Sequence, residues 1–243
     1  MIIAQLSDIH ANGTREALAR LDAVLTWLRP LAPDAVIVSG DLAEDGALQS
    51  YADVAERLGS LKAPVQVVPG NMDHHGPMRR VFGAEHSWGL QGALHSIRDL
   101  GSLRLIGLDV TVAGQHHGDA APVLGWLAEQ LAEQGPPALL FQHQHPFRCG
   151  IDNKDRNICL NGAALADTIA AAASPVLGLT CGHVHRPLFT SFAGRPATMA
   201  PSVARSNKLR LDGKEAQRVD PPGLMIHHFA DGRLVSHVVM IAS

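Results

Sequence analysis

Residues 35–41 read AVIVSGD, an apolar run that stops at a glycine and a carboxylate. A short apolar run bounded by a turn signal is typical of a buried strand. Two other segments have the same form, because residues 2–8 read IIAQLSD and residues 65–71 read VQVVPGN. The three segments predict buried strands, and each strand is followed by a side chain whose oxygen can bind a metal ion.

Helical patterns alternate with these strands. A leucine stripe predicts a helix between Arg15 and Arg29, which Pro30 ends. Helices are also predicted at 47–58, 122–133 and 163–173, and strands at 103–108, 138–141 and 176–180. This alternation indicates a layered α/β protein.

The last third of the chain has a different pattern. Strands are predicted at 188–192, 197–199, 224–229 and 234–241, and Asp231-Gly232 predicts a hairpin turn. Two long loops are predicted, at 146–161 and 203–222. Since 243 residues suit one sizeable core, we expect a single domain over 1–243, with both loops near the active site or an oligomer interface.

Composition excludes several classes of protein. The formal net charge of -3 gives no broad basic field, so we expect no nucleic-acid polymer as a partner. No apolar run reaches membrane-spanning length, and Asp8 comes too early for a signal peptide. The 3 cysteines form no CxxC pair, and their odd number argues against a disulfide framework. We expect a cytoplasmic protein that does not bind membranes.

Metal-ligand side chains follow five of the predicted strands. They are Asp8, His10, Asp41, Asn71, His143, His183 and His185. Because ligands of open α/β sheets bind at the carboxyl ends of strands, these residues are predicted to converge. Each one alone has a simpler interpretation, since an Asp at a strand end is often only a helix cap. The prediction therefore depends on the joint pattern.

The types of ligand indicate the kind of site. Carboxylate, carboxamide and imidazole without paired thiolates suit Mn, Fe or Zn better than a structural zinc. Seven ligands exceed what one ion needs from a protein, whereas two ions that share Asp41 would use them all. The pattern therefore predicts a centre of two adjacent metal ions.

The order Asp-x-His, Gly-Asp, Gly-Asn, His, Gly-His-x-His resembles the calcineurin-like binuclear metallophosphoesterases. Residues 108–118 (LDVTVAGQHHG) and 124–127 (LGWL) are similar to one branch, which contains the class III cyclic nucleotide phosphodiesterases and related glycerophosphodiesterases. The resemblance implies a four-layer αββα sandwich, in which two mixed β-sheets are flanked by helices.

The resemblance also implies roles for the ligands. It assigns one ion to Asp8, His10 and His185, and the other to Asn71, His143 and His183. Asp41 would bridge two divalent or mixed-valence ions of Mn, Fe or Zn. A hydroxide between the ions would be the nucleophile that attacks phosphorus.

The sequence departs from the family pattern at Met72, where relatives commonly have a histidine that assists the leaving group. His74 and His75 are the nearest candidates to replace it, although both would also suit an exposed loop, and the alternative is that the metal ions act without a proton donor. His117, or its neighbour His116, matches a family position near the substrate, and His117 is the next candidate for the catalytic acid. The family's usual His-His-Pro is replaced by His143-Gln144-His145-Pro146, which retains the ligand and leaves His145 to support it.

The predicted function is a metal-dependent phosphodiesterase acting on a small organic diester, such as a cyclic nucleotide or a glycerophosphodiester. The alternatives are a phosphomonoesterase or a nucleotide pyrophosphatase on the same scaffold, and a non-catalytic metal-binding scaffold. The expected partner is a small phosphodiester, and the family branch indicates a homodimer or a higher homo-oligomer.

Overall fold

The computed structural model of the chain describes residues 1–212 and 217–242. The strands are β1 Ile2–Leu6, β2 Ala35–Ser39, β3 Val65–Val68, β4 Ser96–Asp99, β5 Arg104–Leu108, β6 Gly118–Asp119, β7 Ala138–Gln142, β8 Cys159–Leu160, β9 Val176–Cys181, β10 Leu188–Phe192, β11 Arg195–Met199, β12 Ser206–Asn207, β13 Arg218–Asp220, β14 Gly223–Ala230 and β15 Arg233–Met240. The helices are α1 Arg15–Leu28, α2 Leu48–Leu58, α3 His75–His86, α4 Leu124–Leu131, α5 Asp152–Asp155 and α6 Gly162–Ala170, with short 3₁₀ helices at Arg29–Leu31 and Ala121–Val123.

Two mixed sheets form the centre of the molecule. The first has five strands in the order β15-β14-β1-β2-β3, and the second has six in the order β10-β11-β9-β7-β5-β4. Strands β1, β2 and β3 are parallel, as are β5, β7, β9 and β11. Parallel neighbours need crossover connections, which explains why helices alternate with strands along the chain.

Alternate residues of β2 divide between two hydrophobic cores, because successive side chains of a strand point to opposite faces. Val36 and Val38 pack with helices α1, α2 and α3. Ala35 and Ile37 lie between the sheets, in a cluster that includes Leu105 of β5. Helices α4 and α6 cover the other face of the second sheet. The four layers confirm the predicted αββα sandwich.

Some elements were not predicted from the sequence. Helix α3 has only Met78 and Phe82 buried and contains Gly76, Pro77 and Gly83, so its apolar stripe is weak. The predicted loop 146–161 contains α5 and β8, and the predicted loop 203–222 contains β12 and β13. These elements are too short for a periodic pattern to show. Over the described ranges, no helix is both long and apolar enough to cross a bilayer.

A buried polar network joins the two sheets. Gln5 of β1 donates from Nε2 to Ser39 Oγ (2.8 Å), and its Oε1 accepts from the Thr180 hydroxyl of β9 (2.5 Å). Thr198 Oγ1 of β11 lies 2.8 Å from Thr180 Oγ1, and His227 Nε2 of β14 lies 3.0 Å from Gln5 Oε1. Because buried polar groups need partners, this network fixes the position of one sheet against the other. It lies next to the strand ends that carry the predicted ligands.

Candidate metal centre

The strand ends place the predicted ligands at one side of the sandwich. Asp8, Asp41 and Asn71 follow the three parallel strands of the first sheet, and His143 and His183 follow β7 and β9 of the second. The two sheets therefore contribute from opposite sides. This arrangement brings together residues that are up to 177 positions apart in the sequence (185 minus 8).

A first cluster forms around Asp8. Its Oδ1 lies 3.0 Å from His185 Nε2, and His185 Nε2 lies 3.1 Å from His10 Nε2. His10 Nε2 also lies 3.6 Å from Asp41 Oδ2. One ligand atom from each of these four side chains lies within 4.8 Å of the others, which is the spacing that a shared metal ion requires.

A second cluster forms around His143. Its Nε2 lies 3.2 Å from Asn71 Oδ1 and 3.3 Å from His183 Nδ1. The same nitrogen lies 3.3 Å from Asp41 Oδ2. An amide oxygen, a carboxylate oxygen and two ring nitrogens thus converge on a second point.

Asp41 belongs to both clusters through one oxygen. Its Oδ2 faces His10 on one side and His143 on the other. Its Oδ1 is held by the backbone amide of Met72 at 2.8 Å. The side chain therefore presents a single oxygen between the clusters.

The chemistry of the donors fits metal ions. Nε2 of His10 faces Nε2 of His185, and two imidazole nitrogens in this arrangement share at most one proton. Asp8 Oδ1 is buried and makes no hydrogen bond among the described residues, although His185 Nε2 lies 3.0 Å away. A cation at each cluster would satisfy lone pairs that otherwise oppose one another.

Two contacts fix which ring nitrogen faces the clusters. His143 donates from Nδ1 to the carbonyl oxygen of Ser39 (2.8 Å), which leaves its Nε2 lone pair directed at Asp41 and Asn71. His10 places Nδ1 against the carboxylate of Glu44, with the same consequence for its Nε2. Carboxylate or carbonyl partners of this kind are typical of histidines that bind metals. Glu44 was not recognised from the sequence, although its position three residues after Asp41 was a usable signal.

The backbone at the clusters is strained. Asp8, His10, Asp41, His183 and His185 have positive φ angles of 51°, 51°, 52°, 71° and 63°. Such conformations are unfavourable for residues with a Cβ and persist where the surrounding structure holds them. Here the Asp8 amide donates to Gly40 O (3.0 Å) and the His183 amide to Asp8 Oδ2 (3.1 Å).

Glycine is required beside the ligands for two reasons. Gly40 has a φ of +90°, so it makes the turn that leads into Asp41. Gly182 is needed because the chain segments approach closely. A Cβ at Gly182 would lie 2.8 Å from Ser39 O and 2.9 Å from Asp8 Oδ2, and it would overlap the Ser7 hydroxyl.

Charges in the clusters shift one another's ionisation. Burial alone would raise the pKa of Asp8, but His185, His143 and His10 hold it well below its usual range. Burial alone would lower the pKa of His143, but Asp41 and Asp8 raise it to about 9. Both shifts have the same cause, because the buried carboxylates of Asp8 and Asp41 favour positive charge at the clusters.

Asp73 supports the two loops that carry Asp41 and Asn71. Its carboxylate accepts from the amides of Leu42 (3.0 Å) and Gly70 (2.9 Å). Burial and the nearby Asp41 raise the pKa of Asp73 to about 6. The sequence does not reveal this role of Asp73, because its partners are backbone amides of other segments.

Comparison with known proteins identifies the chain's family. Residues 1–187 match the family model described as calcineurin-like phosphoesterase. The chain belongs to the calcineurin-like phosphoesterase family. The family implies a binuclear metal site, and the cluster of Asp and His side chains fits one.

Two relatives belong to the branch that the sequence resembles. A probable glycerophosphodiester phosphodiesterase of Arcobacter nitrofigilis is 31% identical, over 99% of this chain and 93% of the relative. A 3′,5′-cyclic adenosine monophosphate phosphodiesterase of Escherichia coli is 30% identical, over 99% of this chain and 90% of the relative. The solved structure of GAP50 from Plasmodium has a TM-score of 0.69 at 14% identity, covering 99% of this chain and 84% of GAP50, and shows the fold alone.

The histidines considered as proton donors in this phosphoesterase lie in different surroundings. His75 is the first residue of α3, and its Nε2 lies 3.1 Å from Asp109 Oδ2 and 3.0 Å from Thr111 Oγ1. The hydrogen bond to Asp109 raises the pKa of His75. His74 precedes α3, and its ring packs against Gly46.

His116, rather than His117, contacts a predicted ligand. His116 is exposed, and its Nδ1 lies 3.4 Å from Asn71 Nδ2. His117 is half-buried, and its role as a substrate contact stays a prediction. The sequence does not show which of the two contacts Asn71, because the direction of each side chain depends on the backbone conformation of the turn.

Removing the Glu44 carboxylate tests whether it orients His10. We expect Glu44→Ala to weaken binding of manganese at the cluster of Asp8 and His10 by about 10–100-fold, because the ring loses the partner that fixes its orientation. Glu56→Ala, an exposed glutamate on α2, is the control and should not change the affinity. Calorimetric titration of the metal-depleted protein measures both. Equal affinity in the two variants would show that His10 is oriented without Glu44.

Proposed function

We propose that the protein is a phosphodiesterase that uses two metal ions to hydrolyse a small organic phosphodiester. The observation that carries this proposal is the position of Asp41 Oδ2 between the two clusters. In the proposal, Asp8, His10 and His185 would hold one ion, Asn71, His143 and His183 would hold the other, and Asp41 would contribute to both. Manganese, iron and zinc all suit these donors.

Bound ions would supply Lewis acidity, which would activate water at neutral pH and offset negative charge on the phosphoryl group. The chain's own residues fix the positions of the donors. Ser39 orients the ring of His143, and Glu44 orients the ring of His10. The backbone amide of Met72 donates to Oδ1 of Asp41. Since a phosphoryl-transfer site depends on position and charge, this rigid arrangement suits the reaction.

A diester is preferred over a monoester because of the relatives. Proteins covering nearly the whole chain at about 30% identity are named as phosphodiesterases of cyclic nucleotides or glycerophosphodiesters. The alternatives on the same scaffold are a phosphomonoesterase and a nucleotide pyrophosphatase. A non-catalytic scaffold is disfavoured, since it would have no use for seven converging donors.

We further propose that His75 supplies the proton to the leaving group, in place of the histidine that Met72 replaces. A thioether carries no proton to donate. His75 is paired with the buried Asp109, whose own pKa it lowers against the effect of burial. The hydrogen bond to Asp109 raises the pKa of His75, so its ring keeps its proton to higher pH than a free imidazole and loses it as the pH rises through the raised value.

The bridging role of Asp41 and the preference for diesters are tested together. With manganese added, the protein should turn over bis-p-nitrophenyl phosphate faster than p-nitrophenyl phosphate. Asp41→Asn should lose most of this activity and metal from both clusters, because one charged oxygen serves both ions. Asp53→Asn on α2 is the control and should match the unmodified protein.

Faster turnover of the monoester would favour the phosphomonoesterase. Two bound ions without turnover of either ester would favour the scaffold. Near-normal activity of Asp41→Asn would contradict the two-ion mechanism.

The role of His75 is tested with substrates that differ in leaving group. His75→Gln should slow hydrolysis of alkyl diesters by about 10²–10⁴-fold, because alkoxides leave poorly without a proton. It should have little effect on aryl diesters, and His74→Gln should have little effect on either. In the unmodified protein, the rate on alkyl diesters should fall as the pH rises and His75 loses its proton. His75→Gln should not show this fall in its pH–rate profile. If both variants leave alkyl diester rates unchanged, the proton comes from another group, with His116 and His117 next to test.

A further inference from the structure

Three side chains between residues 145 and 155 form a second group of possible metal ligands. His145 follows β7, Cys149 lies in the loop after it, and Asp155 ends helix α5. One ligand atom from each lies within 4.8 Å of the others. None of the three is among the seven donors assigned above.

His145 is the observation that points to a ligand. The residue is fully buried, and neither ring nitrogen has a hydrogen-bond partner among the described residues. Its Nε2 lies 3.8 Å from Asp155 Oδ1, which is too long for a hydrogen bond. Buried ring nitrogens normally have partners, so a buried ring beside a carboxylate and a thiol, with no protein partner, has a lone pair available to bind a metal ion.

The loop is built so that the other two donors remain available. The amides of Cys149 and Gly150 donate to Asp155 Oδ1 (2.7 Å) and Oδ2 (3.1 Å). A carboxylate oxygen can accept more than one hydrogen bond, so both oxygens of Asp155 can still bind a cation. The carbonyl of His145 accepts from the Cys159 amide (2.8 Å), which ties the segment to β8.

Two cations near the group would compete with a metal ion. Arg148 Nε lies 3.5 Å from Asp155 Oδ2, but its side chain is 81% exposed and can turn into solvent. Lys154 Nζ donates to the carbonyl oxygen of His183 at 2.5 Å. Arg148 therefore does not have to leave a buried position for an ion to enter, and the backbone of His183 holds Lys154.

We propose that His145, Cys149 and Asp155 form a third metal site, selective for zinc-like ions. A nitrogen, a sulfur and a carboxylate oxygen are ligands of zinc, and the thiolate selects against manganese and magnesium. Binding releases the thiol proton of Cys149 to solvent. This proposal does not rest on the phosphodiesterase activity.

The site would stabilise the segment that borders the binuclear centre. Lys154 lies on α5 between two of the proposed ligands and contacts the backbone of His183. The ring of His145 lies beside that of His183, with centroids 5.8 Å apart. An ion held by His145, Cys149 and Asp155 would therefore fix α5 against the backbone of a binuclear-site ligand.

Cobalt(II) distinguishes this site from the binuclear centre. The seven donors of the binuclear centre include no sulfur, so thiolate-to-cobalt charge-transfer absorption reports only a site with cysteine. We expect this absorption in the unmodified protein. It should saturate when one equivalent of cobalt has bound at the thiolate site, and added zinc should displace that cobalt and remove the absorption. Cys149→Ser should abolish it and lower bound zinc by about one equivalent. Cys159→Ala, at a buried free cysteine on β8, should keep it.

Asp155 provides an independent variant. Asp155→Asn should weaken cobalt binding at the thiolate site, while Asp152→Asn, at an exposed position of the same helix, should not. Absence of charge-transfer absorption in the folded, cobalt-loaded protein would overturn the proposal, as would absorption that survives Cys149→Ser. Loss of phosphodiesterase activity alone would bear on the binuclear centre and not on this site.

Discussion

The site depends on the burial of two carboxylates, Asp8 and Asp41, at the junction of the two sheets. Like charges in a buried position are costly unless cations or donors compensate them. Their neighbours are imidazoles of His10, His143 and His185, which lie 3.0 to 4.0 Å from the carboxylate oxygens. These rings offer lone pairs as well as protons. The same arrangement is therefore suited to hold metal ions.

Holding these groups together requires a backbone that local preference would not choose. Five of the donors have left-handed φ angles. The fold stabilises them through hydrogen bonds between loops, such as that from the His10 amide to Asp41 O (3.0 Å), and through the Gln5 network beneath. That network holds the two sheets in a fixed relative position. The donors that follow β1 and β9 are therefore held at a fixed distance from each other. Rigidity of the sandwich is thus a condition for the geometry of the site.

The sequence predicted the layered fold and the residues that converge, because both follow from strand patterns and from which side chain ends each strand. It did not reveal Glu44 or Asp73, whose roles are hydrogen bonds to a ring and to backbone amides of other segments. Helix α3 was missed because its two glycines and a proline weaken the apolar pattern, while packing of Met78 and Phe82 compensates. Tertiary contacts decided these features, and no local pattern encodes them.

The central claim is that one oxygen of Asp41 bridges two metal ions, and anomalous diffraction from manganese-soaked crystals tests it most directly. The account predicts two ions roughly 3.5–4 Å apart, on either side of Asp41 Oδ2. One should be bound by Asp8, His10 and His185, and the other by Asn71, His143 and His183. A single ion at saturating manganese, or two ions of which only one contacts Asp41, would contradict the account.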